Sequence, residues 1–478
     1  VSEDTRRRDA EEPYGEERIL DPSNLDAERH RYFRLFADYL EAGDEAAIQR
    51  VAGELSPGDL SEILRPFSVE DTVRILRLMP SDFLAEVMAE IDNRSLDALF
   101  ALLDVGEIAD IIEEMPSDEA TDLIGELDAR EAQRILAAME EEERSEVAEL
   151  LQYAPETAGG LMGKEFAIVG ELSVVGDAVA GLQRFDEDEL DAMHFVFVVN
   201  RYQHLVGRIP LTRLLLAGND TPVRHVMERD PLYVDVDLDQ EEVAQYFMTH
   251  DLITLPVVDR RGRLVGCITV DDVLDVLEEE ATEDISRLAG VSVEEFGEPS
   301  SYRVARSRLP WLLGGLAGEF GAIMVLQHFE ESIARLVALS FFIPAIMAMA
   351  GSVGIQTSSV VVRGLATGEV GNYHFARHLL REIGTAIITG LAIGAFLMLI
   401  ARLVTQQWNL ALVLGLTMVV VILFAATVGT SIPMVLHRLR QDPAVATGPF
   451  ITTANDIVAL LIYLGLATGL LGLGTFGS

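Results

Sequence analysis

Apolar residues are distributed along this 478-residue chain in two different ways. After residue 300 they gather into five long runs: Leu309 to Leu326, Leu336 to Val362, Leu379 to Ala401, Leu410 to Leu436 and Phe450 to Leu473. As a helix, each run can cross the roughly 30 Å apolar layer of a bilayer, although the first is short and carries Glu319. Before residue 300 the apolar groups are short. Residues 26 to 150 read as amphipathic helices separated by Ser-Pro, Met-Pro and acidic turns. Met79-Pro80-Ser81-Asp82 returns as Met115-Pro116-Ser117-Asp118, and Asp92 returns as Asp128, a period of 36 that predicts a small helical solenoid. Residues 158 to 277 hold a second duplication. Val198-Val199-Asn200-Arg201-Tyr202-Gln203-His204-Leu205-Val206-Gly207 matches Val257-Val258-Asp259-Arg260-Arg261-Gly262-Arg263-Leu264-Val265-Gly266 at an offset of 59. In each copy a strand, a polar turn and a second strand lead into a helix, so the pattern predicts a paired α/β unit.

Charge follows the same division. Residues 301 to 478 carry ten Arg against seven acids, which leaves, from totals of 36 bases and 78 acids, 26 against 71 in the first 300. A field this negative repels nucleic acid and attracts cations, which argues against a nucleic-acid partner and for divalent ions. An acid-rich surface with Lys164 as its one lysine is equally the mark of a salt-loving host. Basic flanks orient the apolar runs. With the N-terminus inside, Arg303, Arg306, Arg308, Arg363, Arg377, Arg381, Arg438 and Arg440 are cytoplasmic, and only Arg335 and Arg402 lie outside. The expected topology is N-terminus in, C-terminus out, in an integral membrane protein of a plasma membrane. No apolar signal segment precedes the acidic half, which is expected to stay in the cytoplasm, and residues 1 to 25 are expected to be a disordered tail. The lone Cys267 excludes an intrachain disulfide and is expected to be a buried thiol.

The chemistry concentrates at two places. Asp456 lies inside the last apolar run, where a carboxylate is costly unless it is paired or faces water, which makes it an ion-pathway candidate. Asp442-Pro443 and Gly448-Pro449 break the chain ahead of it, freeing carbonyls to meet an ion's water shell, and Thr452, Thr453 and Asp456 share a helical face. In the second run, Ala350 to Ser359 is rich in small and hydroxyl residues; helix packing explains most of them as well as a wet path does. Five spans are few for a wide pathway, so two chains are expected to build it as a homodimer. The second place is the helix after Thr269. At about 100° per residue, Leu274, Leu277, Ala281, Ile285 and Leu288 fall on one face and Asp272, Asp275, Glu280, Glu283 and Asp284 cover much of the rest. Such carboxylates repel by about 1 kcal/mol per close pair in water, which divalent cations relieve; a simple solvated face is the alternative. The nine His are scattered, and neither a Walker loop nor a nucleophile elbow is present, so no enzyme is expected.

The 59-offset pair resembles tandem CBS (cystathionine-β-synthase-like) domains, modules that often bind adenosyl ligands. In the second copy, Gly266-Cys267-Ile268-Thr269-Val270-Asp271-Asp272 offers Thr269 and Asp272 where that family places a hydroxyl and a ribose-binding carboxylate. The first copy has Pro210 and Arg213 instead, so ATP is expected to bind weakly or not at all.

The order of these parts is similar to the MgtE family of magnesium channels and transporters over about residues 26 to 475. The carrying motifs are Thr157-Ala158-Gly159-Gly160-Leu161-Met162, Asp239-Gln240-Glu241-Glu242-Val243-Ala244, Val270-Asp271-Asp272-Val273-Leu274-Asp275, Glu280-Ala281-Thr282-Glu283-Asp284-Ile285 and Asp442-Pro443-Ala444. The resemblance implies a multidomain membrane protein. Its parts are the tail over 1–25, an α-helical solenoid N-domain over 26–150, α/β tandem CBS domains over 151–277, a plug-like linker helix region over 278–300 and a five-helix transmembrane domain over 301–478. It implies that Asp456 holds hydrated Mg²⁺ in the pore of a homodimer, with backbone oxygens near Gly448 and Thr452. It assigns regulatory Mg²⁺ to Asp239, Glu241, Asp251, Asp272, Asp275, Glu280, Glu283, Asp284 and Asp442, so that high cytosolic Mg²⁺ closes the pore. The family commonly has Gly-Gly-Asn-x-Gly-Thr-Gln in the second span, where this chain keeps Gly351 but has Ala350, Ser352 and Ile355. A transporter of another divalent cation, such as Co²⁺ or Mn²⁺, and a membrane Mg²⁺ sensor without transport stay open.

Overall fold

The computed structural model describes residues 25–91, 93–185, 190, 193–292, 295, 300–366, 375–439, 441–443 and 448–472. The tail up to residue 24, Asp92, Arg440, Ala444 and Leu473 lie outside the described residues. Two compact units are present, residues 1–238 with 254–269 and residues 239–253 with 270–478.

In the first unit, short helices run in succession from Leu25–Ala42 to Glu141–Leu150. Their starts are set by side chains that replace missing backbone partners: Ser56 accepts from the Asp59 amide, Ser68 from Asp71, and Asp104 forms a capping box with Glu107. The repeated Met-Pro-Ser-Asp has the same job in both copies. Pro80 and Pro116 sit at the N-caps of helices Ser81–Ala89 and Ser117–Glu126. Their apolar faces meet in one core that includes Phe36, Ile48, Leu60, Ile75, Met88, Ile112, Ile124 and Ile135.

The 59-residue offset reappears as strand pairing. Strand β1 (Ala167–Gly170) runs parallel to β2 (Phe195–Val199), which pairs antiparallel with β3 (Leu205–Pro210), and β4 (Glu228–Arg229) completes the order β1-β2-β3-β4. Strands β5 (Val234–Asp235), β6 (Thr254–Val258) and β7 (Leu264–Thr269) repeat the parallel and antiparallel pairings. Phe195 faces Pro210 as Thr254 faces Thr269, and each hairpin shifts register at the matching place, Val198/Val199 and Val257/Val258. The Cys267 thiol is buried, and its Sγ donates to the Glu165 carbonyl at 3.8 Å. The Thr-Ala-Gly-Gly-Leu-Met motif is an approach of backbones. Ala158 and Gly159 donate to the Leu238 and Val236 carbonyls at 2.7 and 3.0 Å. A Cβ on Gly160 would lie 2.3 Å from the Pro155 oxygen, and one on Gly266 2.5 Å from the sulfur of buried Met162.

Among the described residues of the second unit, five helices are long and apolar enough to cross a membrane: Ser301–His328, Ile343–Ala366, Phe375–Thr405, Trp408–Arg438 and Pro449–Leu471, the first to fifth apolar helices below. The run beginning at Leu336 is not one continuous helix. A short helix, Glu330–Arg335, and a 3₁₀ segment, Val337–Phe342, precede the second apolar helix, because Leu336 adopts a non-helical conformation (φ −137°, ψ 81°). The Tyr463 hydroxyl donates to the Leu339 carbonyl at 2.8 Å and ties this segment to the fifth helix. The fourth helix is the core of the bundle, with 56% of its apolar window buried against 11 to 33% in the others. Glycines bring the helices together. A Cβ on Gly429 of the fourth would lie 2.7 Å from the Gly354 oxygen of the second, and one on Gly394 of the third 2.7 Å from the Gly415 oxygen of the fourth. Backbone cannot yield as a flexible side chain does. Gly429→Ala should therefore cost about 1–3 kcal/mol and lower the thermal unfolding midpoint of the detergent-solubilised protein. Gly384→Ala, whose Cβ meets nothing within 4 Å, should leave that midpoint unchanged.

Candidate functional site

The fifth apolar helix begins at a chain break: Gly448 is its N-cap and Pro449 opens its first turn. Thr452 turns back to the Gly448 carbonyl, with its amide at 3.4 Å and its hydroxyl at 3.3 Å. Gly448, Thr452 and Asp456 recur every four residues and run down one side of the helix. Oδ1 of Asp456 is buried without a hydrogen-bond partner among the described residues, and the carboxyl hydrogen-bonds Glu319 of the first apolar helix. An unsatisfied buried carboxylate oxygen is costly, and a cation with its water shell relieves it.

Thr453, three residues before Asp456, is packed against a neighbouring helix. It packs on the first helix at Gly318, where a Cβ would come within 2.3 Å of its Cγ2, because Gly318 and Gly321 leave room there for Thr453 and Ile457. Two polar residues at this depth were missed by pattern reading. Asn455 is fully buried, donating from Nδ2 to the Ala350 carbonyl at 3.4 Å, while its Oδ1 finds no partner among the described residues. A second polar residue beside Asp456 in an apolar run was the available signal. Glu319 is the other, and only the fold brings it to Asp456. In the second helix, Gly351, Gly354, Thr357 and Ser358 are buried in packing, whereas Ser352 and Gln356 are exposed.

The acids expected to bind regulatory Mg²⁺ all lie in this same unit. Asp239 is the N-cap of helix Gln240–His250 and accepts from the Glu241 amide at 2.9 Å, while Asp251 ends that helix in the left-handed conformation (φ 49°). One helix of 11 residues separates them by ~16 Å, so within one protomer they serve different places. The linker helix is a continuous Val270–Ala289, which ends at Gly290 with φ +71°. The change from CBS to linker expected at 277 falls inside it, since no helix breaker interrupts the run. Burial does not follow the apolar face of this helix. Leu274 and Ile285 are 61% and 68% exposed, and Val273, Val276 and Ser286 are the buried positions.

Glu241 keeps an exposed side, yet burial of the rest and the nearby Glu280, Asp284, Asp239 and Asp442 push its carboxyl up to about 7. Burial, Asp442 and Glu280 likewise raise Asp284 to about 6, opposed by Arg287. Gln240 Nε2 donates to Glu280 at 2.7 Å. Arg287, a cation that pattern reading passed over, ion-pairs with both Glu283 and Asp442. The fold thus gathers Asp239, Glu241, Glu280, Glu283, Asp284 and Asp442. Asp275 is raised by burial and by Asp271 and Glu278, and belongs with Asp272 to the earlier turns of the linker helix. All these donors are carboxylate oxygens, the type that Mg²⁺ prefers. No three of His, Cys, Asp or Glu converge closely enough to hold a metal among the described residues.

A packed contact joins this cluster to the fifth helix. A Cβ on Gly290 would lie 2.1 Å from Nε1 of Trp311, and one on Gly448 3.2 Å from Cζ2 of the same indole. Trp311 also meets Phe450 edge to face at 5.6 Å. At the proposed nucleotide positions, Thr269 closes β7 and Asp272 lies in the first turn of the linker helix. Pro210 is an N-cap, and Arg213 donates to the Val226 carbonyl at 3.2 Å and to Glu228 at 3.0 Å.

An acid whose pKa is raised on folding holds its proton more tightly in the folded arrangement. For Glu241 the cost of folding is absent below the ordinary 4.5, grows with pH and is complete above about 7. In buffer without divalent ions, hydrogen exchange in the linker helix, corrected for intrinsic rate, should slow on acidification from about pH 8 to about pH 6. An unchanged corrected rate would show that these acids do not strain the helix.

Three segments match known families: residues 343–466 a divalent cation transporter family, MgtE, residues 55–156 the MgtE intracellular N domain, and residues 223–279 the CBS domain. A Thermus thermophilus protein named magnesium transporter MgtE is 33% identical over 438 residues, 90% of this chain and 97% of its own length. Its Enterococcus faecalis namesake is 36% identical over 326 residues, 68% of this chain and 72% of its own. Among solved structures, the cytosolic domain of the Mg²⁺ channel MgtE in complex with ATP is similar at 32% identity and a TM-score of 0.48, covering 51% of this chain and 99% of that one. The soluble part of a magnesium transporter is similar at 28% identity and a TM-score of 0.48, over 53% of this chain and 99% of its own. With so much of both chains aligned, and with an aspartate-bearing apolar bundle behind a helical domain and a CBS pair, this chain belongs to the MgtE family of divalent cation transporters.

Proposed function

We propose that the chain carries Mg²⁺ across a bacterial plasma membrane as a homodimer, N-terminus in the cytoplasm and C-terminus outside, and that cytosolic Mg²⁺ closes it. The observation that carries this reading is the buried, unpartnered Oδ1 of Asp456 on a helix that opens at Gly448-Pro449. Mg²⁺ gives up its waters reluctantly, so one carboxylate per protomer and the oxygens near Gly448 and Thr452 suffice to hold the hydrated ion. The relatives' names supply the choice of Mg²⁺. Transport of Co²⁺ or Mn²⁺ is the second reading, favoured by the exposed Ser352 in a stretch where the family commonly has Asn.

Closure follows from the acids. Bound Mg²⁺ supplies two positive charges and a shell of oriented waters. Glu241, Glu280, Glu283, Asp284 and Asp442, with Asp239 beside them, would hold it and lose their mutual repulsion; Asp251, Asp272 and Asp275 would serve a separate place. The linker helix then settles, and its end at Gly290 acts through Trp311 on Gly448 and Phe450, where the pore helix begins. ATP is at most a weak ligand, because Pro210 stands where a donor is needed and Arg213 is engaged with Glu228.

In reconstituted vesicles, Asp456→Ala should abolish Mg²⁺ flux while the protein remains a folded dimer; wild-type flux in that variant would sink the pore assignment, and Co²⁺ or Mn²⁺ flux that Mg²⁺ fails to compete would favour the second reading. Limited proteolysis near residues 278–300 tests closure separately. Millimolar Mg²⁺ should protect the wild type, and amide substitutions at Asp272, Asp275, Glu280, Glu283 and Asp284 should remove most of that protection, whereas equal protection would leave these acids a solvated face.

A further inference from the structure

The acid cluster already contains a cation. Arg287 lies one turn beyond Glu283 on the linker helix and ion-pairs with it, and its other nitrogen ion-pairs with Asp442, 155 positions further along the chain. The guanidinium is planar and forked, so one group can hold two carboxylates that would otherwise repel. Both of those carboxylates belong to the set proposed to receive regulatory Mg²⁺. The neighbouring Glu241, by contrast, is surrounded by Glu280, Asp284, Asp239 and Asp442.

We propose that Arg287 is a resident counter-cation that competes with the divalent ion for Glu283 and Asp442, and so sets the Mg²⁺ concentration at which the cluster fills. The proposal rests on the regulatory reading given above. With Arg287 in place, two of the acids share one positive charge before any metal arrives, and a divalent ion must displace one or both guanidinium pairs to use them. The ion gains because it brings two charges and oxygen-seeking chemistry where the arginine brings one. It also loses, because breaking each pair costs a fraction of its binding energy. The threshold is therefore higher than that of a cluster made of acids alone. Without metal, the same pairs keep the segment before the fifth helix attached to the linker helix.

The test is a Mg²⁺ titration of protease protection near residues 278–300 on the full-length protein in detergent, reading the midpoint and the plateau. Arg287→Gln should lower the midpoint about three- to tenfold with a plateau like that of the wild type, because its competitor is gone. Arg287→Lys keeps the charge but engages one carboxylate at a time, so its midpoint should fall between the two. An unchanged or higher midpoint, or a reduced plateau, in both variants would overturn the proposal and make Arg287 a structural tie. A wild type without saturable Mg²⁺-dependent protection would instead remove the regulatory reading itself, and the proposal with it.

Discussion

Repulsion among carboxylates that the fold holds together is the interaction on which the second unit turns. Glu241, Glu280, Asp284 and Asp442 are brought into mutual range by two helices and a loop, and burial with this repulsion raises the carboxyl of Glu241 to about 7 and that of Asp284 to about 6. A protein interior ordinarily disperses such charges or pairs each of them. Among the described residues, one arginine is shared by two of the acids. Cations or protons relieve such repulsion, and under the proposed regulation their supply would control how firmly the linker helix sits.

The membrane half solves the opposite problem of keeping polar groups at depth without paying for bare ones. Glycines on the first and second helices let the fifth approach closely, and Thr453, Asn455 and Ile457 fill those gaps. This packing fixes the rotation of the fifth helix, and the rotation decides where Asp456 points. Asn455 locks one side through the Ala350 carbonyl, and Glu319 meets the carboxyl itself on the other. A single Asp is thus held by neighbours on two other helices.

Much of this was legible from local pattern. The 59-residue offset became strand-for-strand register, Met-Pro-Ser-Asp marked equivalent helix starts, and the five apolar runs are five helices. Pattern failed where the partner is distant in sequence. Arg287 reads as an ordinary basic residue near a helix end, and only the loop that returns Asp442 to it reveals the double pair. Angular periodicity ranks residues by apolarity and does not disclose burial on the linker helix, where Ser286 is buried while Ile285 is not. A run of apolar residues likewise cannot disclose a 3₁₀ start such as Val337–Phe342, which depends on the backbone at Leu336 and on Tyr463.

The contact of Trp311 with Gly290 and Gly448 is steric, and that separates it from everything else in the switch. Interactions among the half-buried acids still weaken with ionic strength, because at physiological salt the screening length is about 8 Å. Contact between an indole and two glycine backbones has no such dependence. Under the proposed closure, detection and transmission would answer to different solvent variables: salt in the surrounding fluid would retune the ion concentration that the acids sense, while the contact at the start of the fifth helix would keep its length. For a chain this acidic, that division would let one mechanical linkage work unchanged across a wide range of salinity.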